Sequence, residues 1–488
     1  MKKYKLNLAH LFKYKGKNYL YVTNNSRAYQ CDDSTYSYLL QLYSKHQIGQ
    51  EIFINDEKDI LPELIDSGVI SDLRDYSKTT NYLPNQDPLP PHKNIFEETY
   101  TSKKHVKVSN IVLELANDCN LNCVYCYGAG GGYGRKRELM SEHTALKAIR
   151  FLFENCEDVK QPHVTFFGGE PLLNFQVLKK VVEYCHTLER NTDKRFTFSI
   201  TTNGTICNDE IEAFFISNKI HTMISIDGPQ TIQDELRPSN DKKSSFEKII
   251  KNIPRFKKAN GGHLTARATI CYPYINFVEI KESLLELGFT EVQMSLVDIH
   301  RDSPLFLGSF DNKHYNKELY KEYQELAEDY ISSVKSCGKS NNRLFNSYIQ
   351  DLYFKNMRST ACGAGIRGFA IGTDELIYPC HRYMGMQEYA VGTLTSGIDY
   401  AKTIVFRHSN VFEKEECKKC WAKFMCGGGC SHICVNQEKD IKKAPAAYCE
   451  TYRKVYELAI YIYTELKQWD DDVFRKAFER REANTTIL

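Results

Sequence analysis

Between residues 108 and 336 short apolar strands alternate with amphipathic helices, and this alternation restricts the possible folds more than any other feature. The expected strands cover 111–115, 164–167, 196–201, 223–226, 264–270 and 292–297. Apolar side chains at helical spacing separate them, as in Ala145, Ala148, Ile149 and Leu152 or Val177, Leu178, Val181 and Val182. Strands linked through helices run parallel, so the units predict an α/β fold with a parallel sheet, open or curled into a partial barrel. Ligands of such sheets bind at the carboxyl ends of the strands, and the motifs below lie there.

Directly after the first strand comes Cys119-Asn120-Leu121-Asn122-Cys123-Val124-Tyr125-Cys126. Three thiolates on one short loop can ligate three irons of a 4Fe–4S cluster and leave the fourth open. A structural zinc ion would want a fourth Cys or His nearby, and none is adjacent. Gly168-Gly169-Glu170-Pro171 closes the second strand, Thr202-Asn203-Gly204 the third and Ser225-Ile226-Asp227-Gly228-Pro229 the fourth. Any one of these is an ordinary turn or cap; in chain order at successive strand ends they form one site.

With the Cys-x3-Cys-x2-Cys loop they resemble the radical S-adenosylmethionine (SAM) superfamily, and imply a partial (β/α)6 barrel. The resemblance implies that SAM chelates the open iron and yields a 5′-deoxyadenosyl radical, the cofactor supplying the hard chemistry. It also implies the contacts. Gly168, Gly169 and Glu170 would receive the amino group, and Thr202, Asn203, Ser225 and Asp227 the ribose. Arg237 would take the carboxylate, a natural guanidinium role, with Tyr125 and Leu296 along the adenine. The run from Gly128 to Gly134 reads as a flexible loop over the site.

Six of the seventeen cysteines (Cys31, Cys156, Cys185, Cys207, Cys271 and Cys337) are scattered singly and read as small buried thiols. The others cluster, which in a reducing compartment points to metal or redox chemistry before disulfides. Cys362 and Cys380, then Cys417-x2-Cys420-x5-Cys426-x3-Cys430, then Cys449, resemble the SPASM extension of radical SAM enzymes. That resemblance implies two auxiliary 4Fe–4S clusters, three in all. Cys417, Cys420, Cys426 and Cys449 would hold one, and Cys362, Cys380 and Cys430 the other. A zinc-ribbon-like structural site is the competing reading. Cys434 is surplus to the pattern, either a further ligand or a buried thiol. Glu375 stands in a stretch where the family usually has Gly, which predicts a different turn.

Residues 1–75 read as a small α+β module. Two strands flank Lys15-Gly16-Lys17, a third covers Arg27–Cys31, and helices follow over about 33–45 and 57–66. The module resembles the winged-helix-like recognition element of ribosomal-peptide maturases, which binds a leader peptide by adding a strand to its sheet edge. A generic protein-interaction domain is the alternative. A linker at 76–107 with Pro84, Pro88, Pro90 and Pro91, the barrel at 108–336, a SPASM domain at 337–460 and a C-terminal helix at 461–488 complete the organisation.

The whole resembles a thioether-forming maturase, similar to those for six-cysteine peptides and for freyrasin. The implied partners are a precursor peptide and a reductant such as flavodoxin or ferredoxin. Sulfatase maturases, which oxidise Cys or Ser to formylglycine, begin close to the core and carry Asp where this chain has His381. Formylglycine formation and carbon–carbon cross-linking stay open, whereas a bare iron–sulfur electron carrier needs none of the SAM-contacting segments. The net charge of +2 gives no reason to expect nucleic acid or membrane binding. No run approaches a membrane span or a signal-peptide core, which predicts a cytoplasmic enzyme.

Overall fold

The computed structural model describes residues 2–54, 61–72, 106–298, 312–470 and 472. The N-terminal module runs β1 (Lys2–Leu6), β2 (Ala9–Tyr14), β3 (Lys17–Val22), β4 (Arg27–Cys31), α1 (Asp33–Lys45), β5 (Glu51–Ile54), α2 (Leu61–Ser67) and β6 (Ile70–Asp72). The expected hairpin, third strand and first helix are all present; the first turn of the second expected helix falls outside the described residues. The sequence reading missed β1, β5 and β6, which form a second antiparallel sheet in the order β5-β1-β6. In β1 the lysines mask a period of two, with Tyr4 and Leu6 buried and Lys3 turned out to solvent.

Strand β3 is covered on both faces. Leu20 and Val22 enter the module's own core with Tyr4, Leu39 and Ile52. Tyr19 and Tyr21 enter the core shared with the rest of the molecule. There Tyr14 and Tyr19 pack edge-on against Tyr461 of the helix Ala446–Trp469, with ring centroids 4.7 and 6.1 Å apart. His10 stacks on Trp421 at 3.9 Å and bonds Glu457 at 2.9 Å. The module is therefore docked on the Cys-rich end of the chain. The expected linker lies almost wholly outside the described residues.

The main sheet begins with β7 (Asn110–Asn117), paired on one side by the short β8 (Glu138–Leu139), and continues through β9 (His163–Gly168), β10 (Thr197–Thr202), β11 (His221–Ser225), β12 (Thr265–Ile270) and β13 (Glu291–Leu296). From β7 to β13 the main strands lie side by side in chain order, all parallel, with helices in the crossovers. This is the partial (β/α)6 barrel. Three of its helices start on side-chain caps: Ser141 accepts from Thr144 N, Asn208 from Ile211 N and Ser244 from Glu247 N.

The sheet does not stop at the expected domain boundary. β14 (Gly368–Ile371) adds to β7 in parallel, and β15 (Leu376–Tyr378), β16 (Gly392–Thr393) and β17 (Gly397–Ile398) extend it antiparallel. The C-terminal Cys-rich domain is thus built outward from the barrel's first strand. In the β14–β15 turn Glu375 takes φ +62°, a conformation glycine would adopt without strain, and its carboxylate is held by Lys147 at 2.6 Å. The helix Ala446–Trp469 carries Cys449 in its first turn and runs straight through the expected boundary at 460. Of the scattered thiols, Cys156, Cys185 and Cys271 are buried, Cys31 and Cys207 half-buried; Cys337, at a helix end, is exposed rather than buried. Among the described residues no helix is long and apolar enough to cross a membrane.

Candidate functional site

The cysteine loop leaves the end of β7 and is fastened along its whole length. Gly169 N donates to Ala116 O at 2.7 Å and Glu170 N to Asp118 O at 2.8 Å, which docks the end of β9 on the start of the loop. A Cβ on Gly169 would sit 2.1 Å from Asp118 O, so the Gly-Gly pair is needed for this backbone approach. On the other side Asn122 N and Val124 N donate to Pro238 O and Leu236 O at 2.8 and 3.0 Å. Asn203 Nδ2 reaches Asn120 Oδ1 at 2.8 Å and Cys119 Sγ at 3.7 Å. Cys119, Cys123 and Cys126 are all half-buried free thiols. Burial, then the charge of Glu170, pushes Cys119 up to about 12, and burial opposed by Arg237 pushes Cys123 up to about 11. Such thiols stay protonated until a metal displaces the proton, as cluster ligands do.

Glu170 is fully buried, and burial raises its pKa to about 7 against three donors that pull it down. Its Oε1 accepts from Leu172 N at 3.0 Å and Thr202 Oγ1 at 2.8 Å, and Oε2 from Asn203 N at 2.7 Å. A carboxylate offers about four lone-pair directions, so one on Oε2 is left over, the right complement for an ammonium. Within the free chain Thr202 and Asn203 brace Glu170 and the cysteine loop.

Asp227 is spent differently. Its carboxylate accepts from Arg237 Nε and Nη2 at 2.9 and 3.0 Å, from Thr269 N at 2.9 Å and from the Tyr125 hydroxyl. All four lone-pair directions are taken, so the task of Asp227 here is to hold Arg237 and Tyr125 in place. The Arg237 guanidinium also lies 5.3 Å over the Tyr125 ring. Ser225 and Leu296 sit half-buried at the ends of β11 and β13, with β12 between them.

The glycine run is not a free flap. Gly131 packs so close that a Cβ would lie 2.9 Å from both Asp118 C and Gly169 Cα. Tyr133 is buried with its hydroxyl 3.3 Å from Gly168 O, and Arg135 forks onto Glu114 at 2.6 and 2.8 Å. Gly128 and Gly131 serve close packing, whereas a Cβ on Gly134 would meet nothing within 4 Å; the run is a packed turn, not the free loop expected.

A cavity of about 590 Å³ opens between the cysteine loop and the Cys-rich domain, lined among others by Cys126, Tyr127, Met384, Tyr389, Arg382 and His432. Sequence reasoning missed the polar joint on its wall. Asp298, two residues past β13, accepts from Arg382, from His432 Nδ1 at 3.0 Å and from Asn436 Nδ2 at 3.3 Å. Burial works against its charge, but His432 and Arg382 hold its carboxyl below the usual range. The available signal was position: Arg382 and His432 each stand two residues after an expected ligand, Cys380 and Cys430.

The tail cysteines gather in two neighbouring groups. Burial and then the thiols of Cys430 and Cys362 push Cys380 up to about 12, and burial and then Cys430 raise the Cys362 thiol. Cys417, Cys420, Cys426 and Cys449 line a second cavity of about 310 Å³. Cys430 and Cys434 edge it too, and Cys434 Sγ accepts from the buried Lys414 Nζ at 3.2 Å. The soft thiol donors in both groups fit iron–sulfur ligation. Among the described residues no three His, Cys, Asp or Glu side chains close on a single-ion site.

The family model for the Radical SAM superfamily matches residues 113–287, the span that carries the cysteine loop and the strand-end motifs. A protein of uncharacterised role from Methanocaldococcus jannaschii is 31% identical over 216 residues, which cover 44% of this chain and 71% of that protein. The cysteine-type anaerobic sulfatase-maturating enzyme of Clostridium perfringens (strain 13 / Type A) is 23% identical over 72% of this chain and 96% of its own length. Among solved structures, Streptococcus suis SuiB bound to its precursor peptide SuiA superposes with a TM-score of 0.51 at 16% identity, covering 91% of this chain and 98% of SuiB.

Proposed function

The chain belongs to the radical SAM superfamily, and from that premise we propose that it modifies a ribosomally made precursor peptide, joining a Cys sulfur to a carbon of a second residue as a thioether. One observation carries the reading. The N-terminal module, with β4 at the edge of its sheet, is packed onto the same Cys-rich domain that walls the cavity beside the cysteine loop. A leader strand added along Arg27–Cys31 is thereby held on the body that closes the reaction chamber. The Clostridium sulfatase-maturating enzyme spans only 72% of this chain, and the SuiB likeness spans 91%.

Cys119, Cys123 and Cys126 would hold the SAM-binding 4Fe–4S cluster, and the two tail groups would hold auxiliary clusters, three in all. When bound, SAM and that cluster supply a 5′-deoxyadenosyl radical able to remove hydrogen from an unactivated carbon. The chain's own work is positioning. Glu170 offers its remaining acceptor to the SAM ammonium, Ser225 faces the ribose, and Tyr125 and Leu296 flank the adenine. Tyr127, Met384 and Tyr389 give the cavity an apolar side beside the polar joint of Asp298, Arg382 and His432. An electron from a flavodoxin- or ferredoxin-type reductant in the cytoplasm would start each turnover.

A second reading, formylglycine formation, is favoured by the function of the Clostridium relative. Against it, His381 stands where that chemistry would place an Asp. Its ring lies 4.8 Å from Phe167, and burial, then Arg382 and Arg267, push its pKa down to about 3, so it is an uncharged imidazole. The test is anaerobic reaction with a Cys-containing peptide encoded beside the gene, followed by alkylation and tandem mass spectrometry. The thioether predicts the loss of two hydrogens and of one alkylatable thiol per link. An aldehyde at the Cys position would establish the second reading, and loss of two hydrogens with all thiols intact would establish a carbon–carbon link.

A further inference from the structure

Behind the wall of the tail cavity lies a cation without a carboxylate. Lys414 is fully buried and stands three residues before Cys417, at the start of the short helix that carries that cysteine. Its carbonyl accepts from Cys417 N at 3.0 Å and from Lys418 N at 3.2 Å, so the backbone fixes it to the ligand segment. The side chain runs inward: Nζ donates to Gly428 O at 2.8 Å and to Cys434 Sγ at 3.2 Å. Both partners line the cavity of about 310 Å³ together with Cys417, Cys420, Cys426 and Cys449, which puts the ammonium directly behind its wall.

The acids of the same segment do not answer this charge. Glu413, Glu415 and Glu416 are exposed, and Glu413 pairs with His408 at 3.6 Å and Glu415 with Lys418 at 2.5 Å. Lys281, also buried, has the carboxylate of Asp329 instead. Among the described residues no acidic side chain lies within ion-pair distance of Lys414 Nζ. An ammonium withdrawn from water is costly unless an opposite charge accompanies it. The anion that fits is the one the surrounding thiols are suited to hold. A 4Fe–4S cluster on four thiolates is a dianion, and a trianion once reduced. A cation beside it stabilises the reduced form more than the oxidised form, which raises the reduction potential. The same bond occupies Cys434, the thiol left over from the expected ligand sets.

We propose that Lys414 is the resident counter-ion of the auxiliary cluster on Cys417, Cys420, Cys426 and Cys449, a positioning residue that raises its reduction potential, and that Cys434 stays bonded to Lys414 and ligates no iron. This rests on the auxiliary-cluster part of the proposed function and not on which bond is formed in the peptide.

The test is a redox titration with titanium(III) citrate, followed by electron paramagnetic resonance. It uses the reconstituted full chain with Cys119, Cys123 and Cys126 each replaced by Ala, so that only the tail clusters are read. In that background Lys414→Met should lower one of the two midpoints by at least a tenfold change in the reduction equilibrium, about 59 mV for one electron, and leave the other in place. Lys414→Arg keeps the charge and should move neither midpoint by that much. Cys434→Ala should keep the full iron content, with neither midpoint lowered. Unmoved midpoints in Lys414→Met at full iron content would overturn the proposal and leave Lys414 a purely structural part. Loss of iron from Cys434→Ala would overturn it too, by making Cys434 a ligand. Should Lys414→Met not fold, a tenfold fall in Lys414→Arg or iron loss in Cys434→Ala still overturns it, and the absence of both supports it. Zinc in place of iron in the tail of the parent chain would sink the auxiliary-cluster reading itself, a failure that metal analysis separates from an unmoved midpoint.

Discussion

The three barrel cysteines and the tail cysteines have the same chemistry in protein of opposite kinds. The loop from 119 to 126 hangs on a parallel sheet and is tied by backbone bonds to β7, β9 and the segment 236–240. The stretch from Cys417 to Cys430 is made of four-residue helices, Glu415–Lys418 and Lys423–Cys426, and of Gly427-Gly428-Gly429, all three at positive φ, wrapped around a cavity. The first region is shaped by the chain and offers a finished site. The second has little regular structure of its own, so its shape is expected to depend on what the thiols bind.

The sharpest way to break this contrast is to remove thiols from one region at a time. Replacing Cys119, Cys123 and Cys126 by Ala should abolish SAM cleavage and remove about a third of the iron. Tm should move by no more than ~2 °C, because the loop's backbone bonds survive. Cys417→Ala should instead lower Tm by roughly 10 °C, since the proposed ligand belongs to the folding of its region. Equal Tm changes in scanning calorimetry would erase the distinction.

Asp227→Asn probes how the finished site is braced. It leaves Arg237 buried without its carboxylate, which costs about 3 kcal/mol in comparable pairs. Denaturant titration should show that loss, together with weaker SAM binding; an unchanged midpoint would mean that solvent already serves Arg237.

A smaller effect follows from Glu170. Its folded pKa is raised from 4.5 to about 7. The stability it contributes is therefore full below pH 4.5 and is lost as pH rises through 7. The ionised form is the one that can hold an ammonium, so SAM affinity should rise about tenfold between pH 6 and pH 8. Glu170→Gln should flatten the profile, and an unaltered slope in that variant would assign the titration elsewhere. The smallest effect is expected of Glu375→Gly. Relief of a left-handed residue and loss of the Lys147 pair should nearly cancel, to within about 0.5 kcal/mol by thermal melt.

The same contrast governs what could be read from sequence. The barrel strands were legible to within a residue or two, because apolar runs and strand-end motifs coincide in chain order. Strands β1 and β5 were missed because their alternation is short and, in β1, broken by lysines. The joining of β14 to β7 was invisible, since nothing local in Gly368–Ile371 names a partner some 250 residues away. Asp227 stands out in the sequence as part of the strand-end segment Ser225–Pro229, not as the clamp of Arg237, a role set by which donors the fold brings to it. Lys414 and Asp298 belong to no motif; their meaning lies in what the fold packs around them.

The central claim is that the SAM bound by this loop acts on a peptide lying in the adjoining cavity. The most direct measurement follows label from peptide to cofactor product. Reconstituted enzyme is turned over anaerobically with SAM, reductant and a precursor peptide whose residues carry deuterium on carbon, and the 5′-deoxyadenosine is analysed by mass spectrometry. The account predicts deuterium in that product in step with cross-linked peptide, and none when the solvent alone is deuterated. Unlabelled 5′-deoxyadenosine formed alongside modified peptide would contradict it.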